Sequence, residues 1–151
     1  MLHFVQHDKR DGQGSGIRVR QERLDGMIIG IGTDICRIER IAELRRKYGP
    51  RFLDRVFTEV EQYYCEGPSA DERYAARFAA KEAVMKALGT GWRKGIIFKD
   101  IELPVREMGP PQLVLHGESK RYAASLGVTR MHVSLTHERE HAMAFVILEG
   151  E

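Results

Sequence analysis

The chain has 151 residues, of which 42% are hydrophobic, and its 24 basic residues nearly balance its 22 acidic ones. This length suits one domain with its own core, and the charge balance argues against a general nucleic-acid binder, which would carry a dominant basic surface. No apolar run approaches the roughly 20 residues of a membrane-spanning helix, and the two distant cysteines, Cys36 and Cys65, favour reduced thiols in a cytoplasmic protein.

Residues 1–26 differ in composition from the rest of the chain. They are mostly polar, include several glycines and arginines, and lack the apolar centre of a secretion signal. We therefore predict an extension that is either flexible or upstream of the natural start, followed by a single domain over residues 27–151. The alternative is an ordered arm that packs on a partner subunit.

Periodicity predicts the elements of the first half of the domain. Residues 27–32 form a short β-branched run bounded by glycines, which indicates a buried strand. Residues 38–48 carry apolar side chains at helical spacing. A Thr-x-x-Glu motif at 58–61 and a Ser-x-x-Glu motif at 69–72 predict two capping boxes. The second would start a long helix that ends near Leu88.

The second half predicts mainly strands. Residues 98–104 and 112–116 suggest two strands, and residues 118–126 a short helix. Residues 131–136 alternate between apolar and polar, as in a half-buried strand, whereas residues 142–148 are continuously apolar, as in a strand covered on both faces. The element order indicates an α+β fold, with an antiparallel sheet packed on a long helix.

Two carboxylates stand out as candidates for a metal site. Asp34 follows the first strand, and Glu82 lies on the long helix four residues before Lys86. Each has an ordinary explanation, Asp34 as a helix N-cap and Glu82 as half of a Glu–Lys surface pair. If the strand and helix pack together, the two acids would repel each other, and a divalent cation would turn that repulsion into binding. Mg²⁺ is commonly held by two carboxylates, with waters and phosphate oxygens completing its shell.

Several nearby groups are candidates for binding phosphate. Arg77, Lys81 and Lys86 supply cations, and the turn at Gly89 supplies backbone N–H groups. That turn ends a helix, where the dipole disfavours anions, so it is not a P-loop. The alternative for the lysines is a solvated charged face. His137, at the end of a predicted strand, is either a phosphate contact or proton carrier, or a structural turn residue.

The first predicted helix carries a basic side. Arg37, Arg40 and Lys47 lie along it. A basic helix side is usually a soluble surface, but it is also suited to an acidic partner helix, because charge complementarity raises the rate of encounter.

Three motifs in series resemble one enzyme family. They are Gly32-Thr33-Asp34 followed by Arg40-Ile41, then Phe78-Ala79-Ala80-Lys81-Glu82-Ala83 with Lys86, and finally Ser134-Leu135-Thr136-His137. In this order they are similar to holo-[acyl-carrier-protein] synthase, the small bacterial class of 4′-phosphopantetheinyl transferases. The resemblance extends from Met27 to about Glu149.

The resemblance implies an activity and roles for the candidate residues. The family transfers the phosphopantetheine arm of coenzyme A to a serine of an acyl carrier protein, releasing adenosine 3′,5′-bisphosphate, in fatty acid biosynthesis. Asp34 and Glu82 would ligate Mg²⁺, and Lys86, with Lys81 and Arg77, would hold phosphates. The proton of the serine would pass to a carboxylate such as Glu82 or to a metal-bound water.

The resemblance also implies an assembly and a fold. Members are typically homotrimers with active sites between subunits, so His137 would complete the nucleotide pocket of a neighbour. Arg37 and Arg40 would dock the acidic carrier protein, and the fold would be the ferredoxin-like unit of the superfamily. Two rival functions are a non-catalytic module that binds coenzyme A or a nucleotide, and a structural subunit that assembles through the basic helix.

Overall fold

The computed structural model describes residues 26–151, so the predicted extension lies outside the described residues except for Gly26. The helices are α1 Ile38–Tyr48, α2 Pro50–Val56, α3 Glu59–Cys65, α4 Ala70–Leu88 and α5 Gly117–Ser125. The strands are β1 Met27–Arg37, β2 Ile101–Glu102, β3 Val114–Leu115, β4 Val128–His137 and β5 His141–Gly150. Within residues 26–151, no helix combines the length and apolarity needed to cross a membrane.

A three-stranded antiparallel sheet packs on the long helix α4. Its strand order is β1-β5-β4, while β2 and β3 form a separate antiparallel pair. Buried side chains of α4, including Tyr74, Ala79, Ala83 and Val84, belong to the same apolar core as Val146 of the central strand β5. The predicted α+β class, with an antiparallel sheet backed by a long helix, is therefore confirmed.

Two glycines allow β1 to approach α4 unusually closely. A Cβ atom added at Gly32 would lie 1.9 Å from the carbonyl oxygen of Ala83, and one added at Gly30 would lie 2.0 Å from that of Ala87. Any side chain at these positions would collide with the helix backbone. The glycines therefore fix how near the residues of β1 come to those of α4.

The structure confirms the predicted helix over residues 38–48 and corrects the end of the first strand. β1 continues through Arg37 instead of ending at Gly32, and the N-cap of α1 is Arg37. The explanation of Asp34 as an N-cap is therefore wrong, because Asp34 lies inside the strand, opposite Ala144. Pattern reading also missed helix α2, which begins at Pro50, where the fixed φ of proline favours a first helical residue.

Only one of the two predicted capping boxes forms. At the start of α3, the Thr58 hydroxyl accepts the backbone N–H of Glu61, and the Glu61 carboxylate accepts that of Thr58. At the start of α4, Ser69 makes no capping hydrogen bond. Its φ of −108° and ψ of 35° lie outside the extended region that a capping side chain needs.

Two strand predictions also need correction. The segment predicted as a strand from residue 98 begins with a 3₁₀ turn at Phe98–Asp100, and only Ile101–Glu102 is extended.

In β5, predicted to be covered on both faces, Met143 and Phe145 are 39% and 40% exposed. They lie opposite Ile35 and Thr33 of β1, respectively. Together with Ile31 and Ile35, which are also exposed, Met143 and Phe145 form a surface that we call the outer sheet face.

Candidate active site

Asp34 and Lys86 meet where β1 packs on α4. The Nζ atom of Lys86 lies 2.8 Å from Oδ1 of Asp34 and donates a second hydrogen bond, of 2.9 Å, to the carbonyl of Thr33. The Lys86 side chain is 52% exposed, so the pair lies at the surface of the groove between strand and helix. This contact depends on the close approach that Gly32 permits.

Glu82 lies one helical turn before Lys86 and shares the electrostatic environment of Asp34. Partial burial of Glu82 raises the pKa of its carboxyl group, and the negative charge of Asp34 raises that pKa further. The positive charges of Lys86 and Arg40 act in the opposite direction but are smaller effects. The structure therefore brings the two predicted acids close enough to influence each other, with Lys86 bonded to Asp34.

The donor set fits a hydrated Mg²⁺ ion better than a metal enclosed by protein. In the part of the chain that the structure describes, no three His, Cys, Asp or Glu side chains cluster as ligands. Mg²⁺ usually binds one or two carboxylates and takes its other ligands from water and substrate phosphates. Asp34 and Glu82 offer two carboxylates whose mutual repulsion a dication would relieve.

Lys81 lies in the core and points away from this groove. Its side chain is 0% exposed, and Nζ donates hydrogen bonds to Oε2 of Glu61 at 2.7 Å and to the carbonyl of Phe98 at 3.1 Å. Burial lowers the pKa of Lys81, and the charge of Glu61 partly offsets that effect. In this structure its ammonium group is therefore not directed at a ligand in the groove.

Arg77 precedes Glu82 on α4, and Gly89 caps the C-terminal end of the same helix. Arg77 is buried, and its guanidinium stacks 4.3 Å from the ring centroid of Tyr64. Among residues 26–151 its Nε has no hydrogen-bond partner. Gly89 caps α4 in the left-handed conformation, with φ of 72°, and its N–H bonds to the carbonyl of Lys86.

His137 is not brought to the two acids within one chain. It ends β4 and pairs with Ala142 of β5, whereas Asp34 lies on β1 opposite Ala144. The central strand separates them, and their partners on it are two residues apart, so their backbones are about 12 Å from each other. Any direct role for His137 beside Asp34 must come from another chain.

A comparison with models of known protein families shows which superfamily the chain belongs to. The family model described as the 4′-phosphopantetheinyl transferase superfamily matches residues 30–146, which include both acids and His137. The chain belongs to this superfamily.

Relatives within the superfamily match nearly their whole length. The holo-[acyl-carrier-protein] synthase of Solibacter usitatus is 48% identical over 125 residues, covering 82% of this chain and all of the relative. The crystal structure of the Neisseria meningitidis enzyme of that name has a TM-score of 0.73 at 35% identity, covering 81% of this chain and 98% of the other. That of the Bacillus anthracis enzyme, in complex with CoA (3′,5′-ADP), has a TM-score of 0.68 at 37% identity, covering 83% and 99%.

In this phosphopantetheinyl transferase, sequence reasoning missed the partner of Lys81. The Thr-x-x-Glu motif identified Glu61 as a cap but gave no sign that it would also bind Lys81.

Cys36 is buried near Asp34 and Glu82, and desolvation raises the pKa of its thiol to about 11. A pKa this high disfavours the thiolate, which is the nucleophilic form of cysteine.

Not all basic residues of α1 are equally available. Arg45 pairs with Asp71, and Arg46 pairs with Glu39. Arg37 and Arg40 have no such ion pairs among the described residues. Arg40 is exposed, and its guanidinium carbon lies 5.6 Å from the ring centroid of Phe78, one turn before Glu82 on α4.

Proposed function

We propose that this chain transfers the 4′-phosphopantetheine group of coenzyme A to a serine of an apo acyl carrier protein, with Mg²⁺ held by Asp34 and Glu82. The observation that supports this most is the convergence of Asp34, Glu82 and Lys86 at the junction of β1 and α4. The relatives carry the name holo-[acyl-carrier-protein] synthase, and one of them binds coenzyme A in its crystal structure. We place the reaction in the cytoplasm, in fatty acid biosynthesis.

In the proposed reaction the carrier's serine oxygen forms a bond to the β-phosphorus of coenzyme A. The bond from that phosphorus to the oxygen bridging the two phosphates breaks, and adenosine 3′,5′-bisphosphate leaves with the electron pair. When bound, Mg²⁺ supplies charge neutralisation at the pyrophosphate. Lys86 is exposed beside Asp34 and can hold a phosphate oxygen, which stabilises the charge that develops on the leaving group.

Glu82 is one acceptor for the serine proton. A carboxylate oxygen can accept this proton directly. We assign phosphate contacts also to Arg77 and the N–H groups of the Gly89 turn. For Lys81, a direct phosphate contact would require its ammonium to leave the Glu61 carboxylate.

We further propose a homotrimer in which His137 of one subunit completes the nucleotide pocket of the next. The outer sheet face supports an assembly, because it exposes four large apolar side chains on paired strands. Contiguous apolar patches of this kind mark interaction surfaces. A second copy covering β5 would also explain why its sequence reads as a strand buried on both faces.

Phe145→Glu should break this assembly. Phe145 lies on the central strand, opposite Thr33 on one side and Ser134 on the other, so a carboxylate there would have to be desolvated in the interface. We expect sedimentation velocity to show monomers, and activity to fall with them. Val60→Glu, at an exposed residue of α3, is the control and should keep the wild-type assembly. An unchanged oligomer in Phe145→Glu would exclude the outer sheet face as the interface.

Arg37 and Arg40 form the proposed docking surface for the acidic carrier. Arg40→Glu should raise the KM for the carrier at least tenfold, because it reverses a charge at the contact, and should change the KM for coenzyme A much less. High salt should reduce the difference from wild type, since it screens exposed charges. Arg46→Glu, at a residue already paired with Glu39, is the comparison variant. Equal changes in both KM values would argue against docking at Arg40.

The function itself is tested by incubating the protein with coenzyme A, Mg²⁺ and an apo carrier. Mass spectrometry should show the carrier gain one phosphopantetheine group, and a chelator should abolish the gain. A carrier whose serine is replaced by alanine is the control. If several apo carriers stay unmodified while coenzyme A binds, the non-catalytic binding module is the better account.

A further inference from the structure

A fully buried ion pair joins α3 to α4. The side chains of Glu61 and Lys81 are both 0% exposed, with 2.7 Å between Nζ and Oε2. The carboxylate of Glu61 also accepts the backbone N–H groups of Thr58 and Leu103, each at 2.9 Å. Lys81 donates its other hydrogen bond to the carbonyl of Phe98. The pair thus ties the middle of α4 to the cap of α3 and to the chain on both sides of β2.

Stability alone is a weak reason for such a pair. Removing two charges from water is costly, and apolar side chains of similar volume often replace a buried pair without loss of stability. What apolar packing does not provide is a set of directed hydrogen bonds. Here Glu61 and Lys81 bond to each other and make three further directed hydrogen bonds, to the backbone of Thr58, Phe98 and Leu103. Such a network holds the segments that it joins in one relative position.

The pair holds α4 on a side that faces away from the strand contact. Successive helical residues are about 100° apart, so the side chain of Lys81 projects about 160° from that of Ala83 and about 120° from that of Ala87. The carbonyl oxygens of those two alanines lie against Gly32 and Gly30 of β1. Glu82 emerges between the two contacts. The helix is therefore held from both sides at the turn that carries this acid.

Contacts on two sides of α4 resist its rotation about its own axis. A side-chain atom at the helix edge lies about 5–6 Å from the axis, so a rotation of about 10° moves it by about 1 Å. Errors of that size at a reacting centre can cost about 10²-fold in rate. We propose that Glu61 and Lys81 are positioning residues, whose ion pair fixes the rotation of α4 and so directs the Glu82 carboxylate toward Asp34. This inference rests on the proposed function.

The test compares a neutral replacement of the pair with wild type. In Glu61→Gln/Lys81→Met the buried charges go together, so no unpaired charge is left in the core. The Tm should still fall, because an amide nitrogen cannot accept a backbone N–H as the second carboxylate oxygen does. Calorimetric titration of Mg²⁺ into the protein with saturating coenzyme A and no carrier should show binding at least 10-fold weaker, the size expected when the support of a metal ligand is lost. The kcat should fall as well, with a smaller change in the KM for the carrier.

Two further variants separate positioning from general loosening. Met85→Ala, at a buried residue of the same helix, should lower the Tm by leaving a cavity while Mg²⁺ binding stays close to wild type. If the double variant does not fold, Lys81→Arg keeps the charge but changes the contact, and should also bind Mg²⁺ more weakly.

Two results would overturn the inference. One is wild-type Mg²⁺ affinity in the folded double variant or in Lys81→Arg. The other is a loss of affinity in Met85→Ala as large as in the pair variants. If the wild-type protein itself neither binds Mg²⁺ with coenzyme A nor modifies a carrier, the proposed function fails instead.

Discussion

Glu82→Gln should lower the rate of carrier modification by about 10²–10³-fold, the size expected when one transition-state stabilising group is removed. The amide keeps the shape of the side chain but loses the charge that would bind Mg²⁺ and accept a proton. The measurement is initial rate against Mg²⁺ concentration, followed by carrier mass. Glu72→Gln, on the first turn of the same helix, is the matched control and should keep wild-type rates.

The same substitution should stabilise the protein in the absence of metal and substrate. Because burial and Asp34 raise the pKa of Glu82, the folded state binds more protons than the unfolded chain between the ordinary glutamate pKa and the raised one. Stability therefore falls as pH rises through that window, and the penalty stays constant above it. Glu82→Gln should then have a higher Tm than wild type at neutral pH, and the difference should shrink as pH falls through that window and be lost below about pH 4.

A higher wild-type Tm at neutral pH would contradict this view of the site. It would mean that ionised Glu82 is stabilised by its surroundings, as an ordinary Glu–Lys pair with Lys86 would be. The activity result and the stability result are thus independent checks on the same carboxylate. Two acids held close together at a cost in folding stability are expected to have a functional role.

Gly32→Ala should damage both the fold and the site. The added Cβ would lie 1.9 Å from the carbonyl oxygen of Ala83, and backbone on both sides leaves no flexible side chain to move. The strand and helix must separate, at a cost of about 3 kcal/mol in the free energy of unfolding, the upper end for overpacking. The separation also pulls Asp34 away from Lys86 and Glu82, so activity should fall further than the loss of folded protein explains.

Urea unfolding and carrier modification per folded molecule measure the two effects. Ile28→Ala is the control, because that residue is exposed on the same strand and its truncation leaves the contact with α4 intact. If Gly32→Ala unfolded at the wild-type urea concentration, the close packing of β1 on α4 would not be the feature that sets the geometry of the site.

The sequence predicted the α+β class and the long helix because these depend on periodicity along the chain. It also singled out Asp34 and Glu82, since a strand and a helix that pack together bring their residues near each other. Local pattern failed at β1, which continues to Arg37 through pairing with β5. It failed at Ser69 too, where the backbone conformation and not the residue type decides whether a cap forms.

The position of Lys81 was beyond pattern reading for a different reason. On sequence it lies between Glu82 and a run of alanines, and a lysine is expected to reach solvent. Its buried partner, Glu61, is 20 residues away on another helix. Only the packing of α3 against α4 brings the two together, and no spacing rule covers contacts between separate helices. Exposure of the outer sheet face is similar, since apolar composition does not say what covers a strand.

The place of β5 in the sheet has a consequence for how the protein folds. The central strand is the last element along the chain, and it pairs with both the first strand and the preceding one. During synthesis, β1 has no strand partner among residues 26–151 until residues 141–150 have been made. Such long-range pairing slows folding, so we expect nascent chains that end before β5 to remain protease-sensitive and to depend on chaperones.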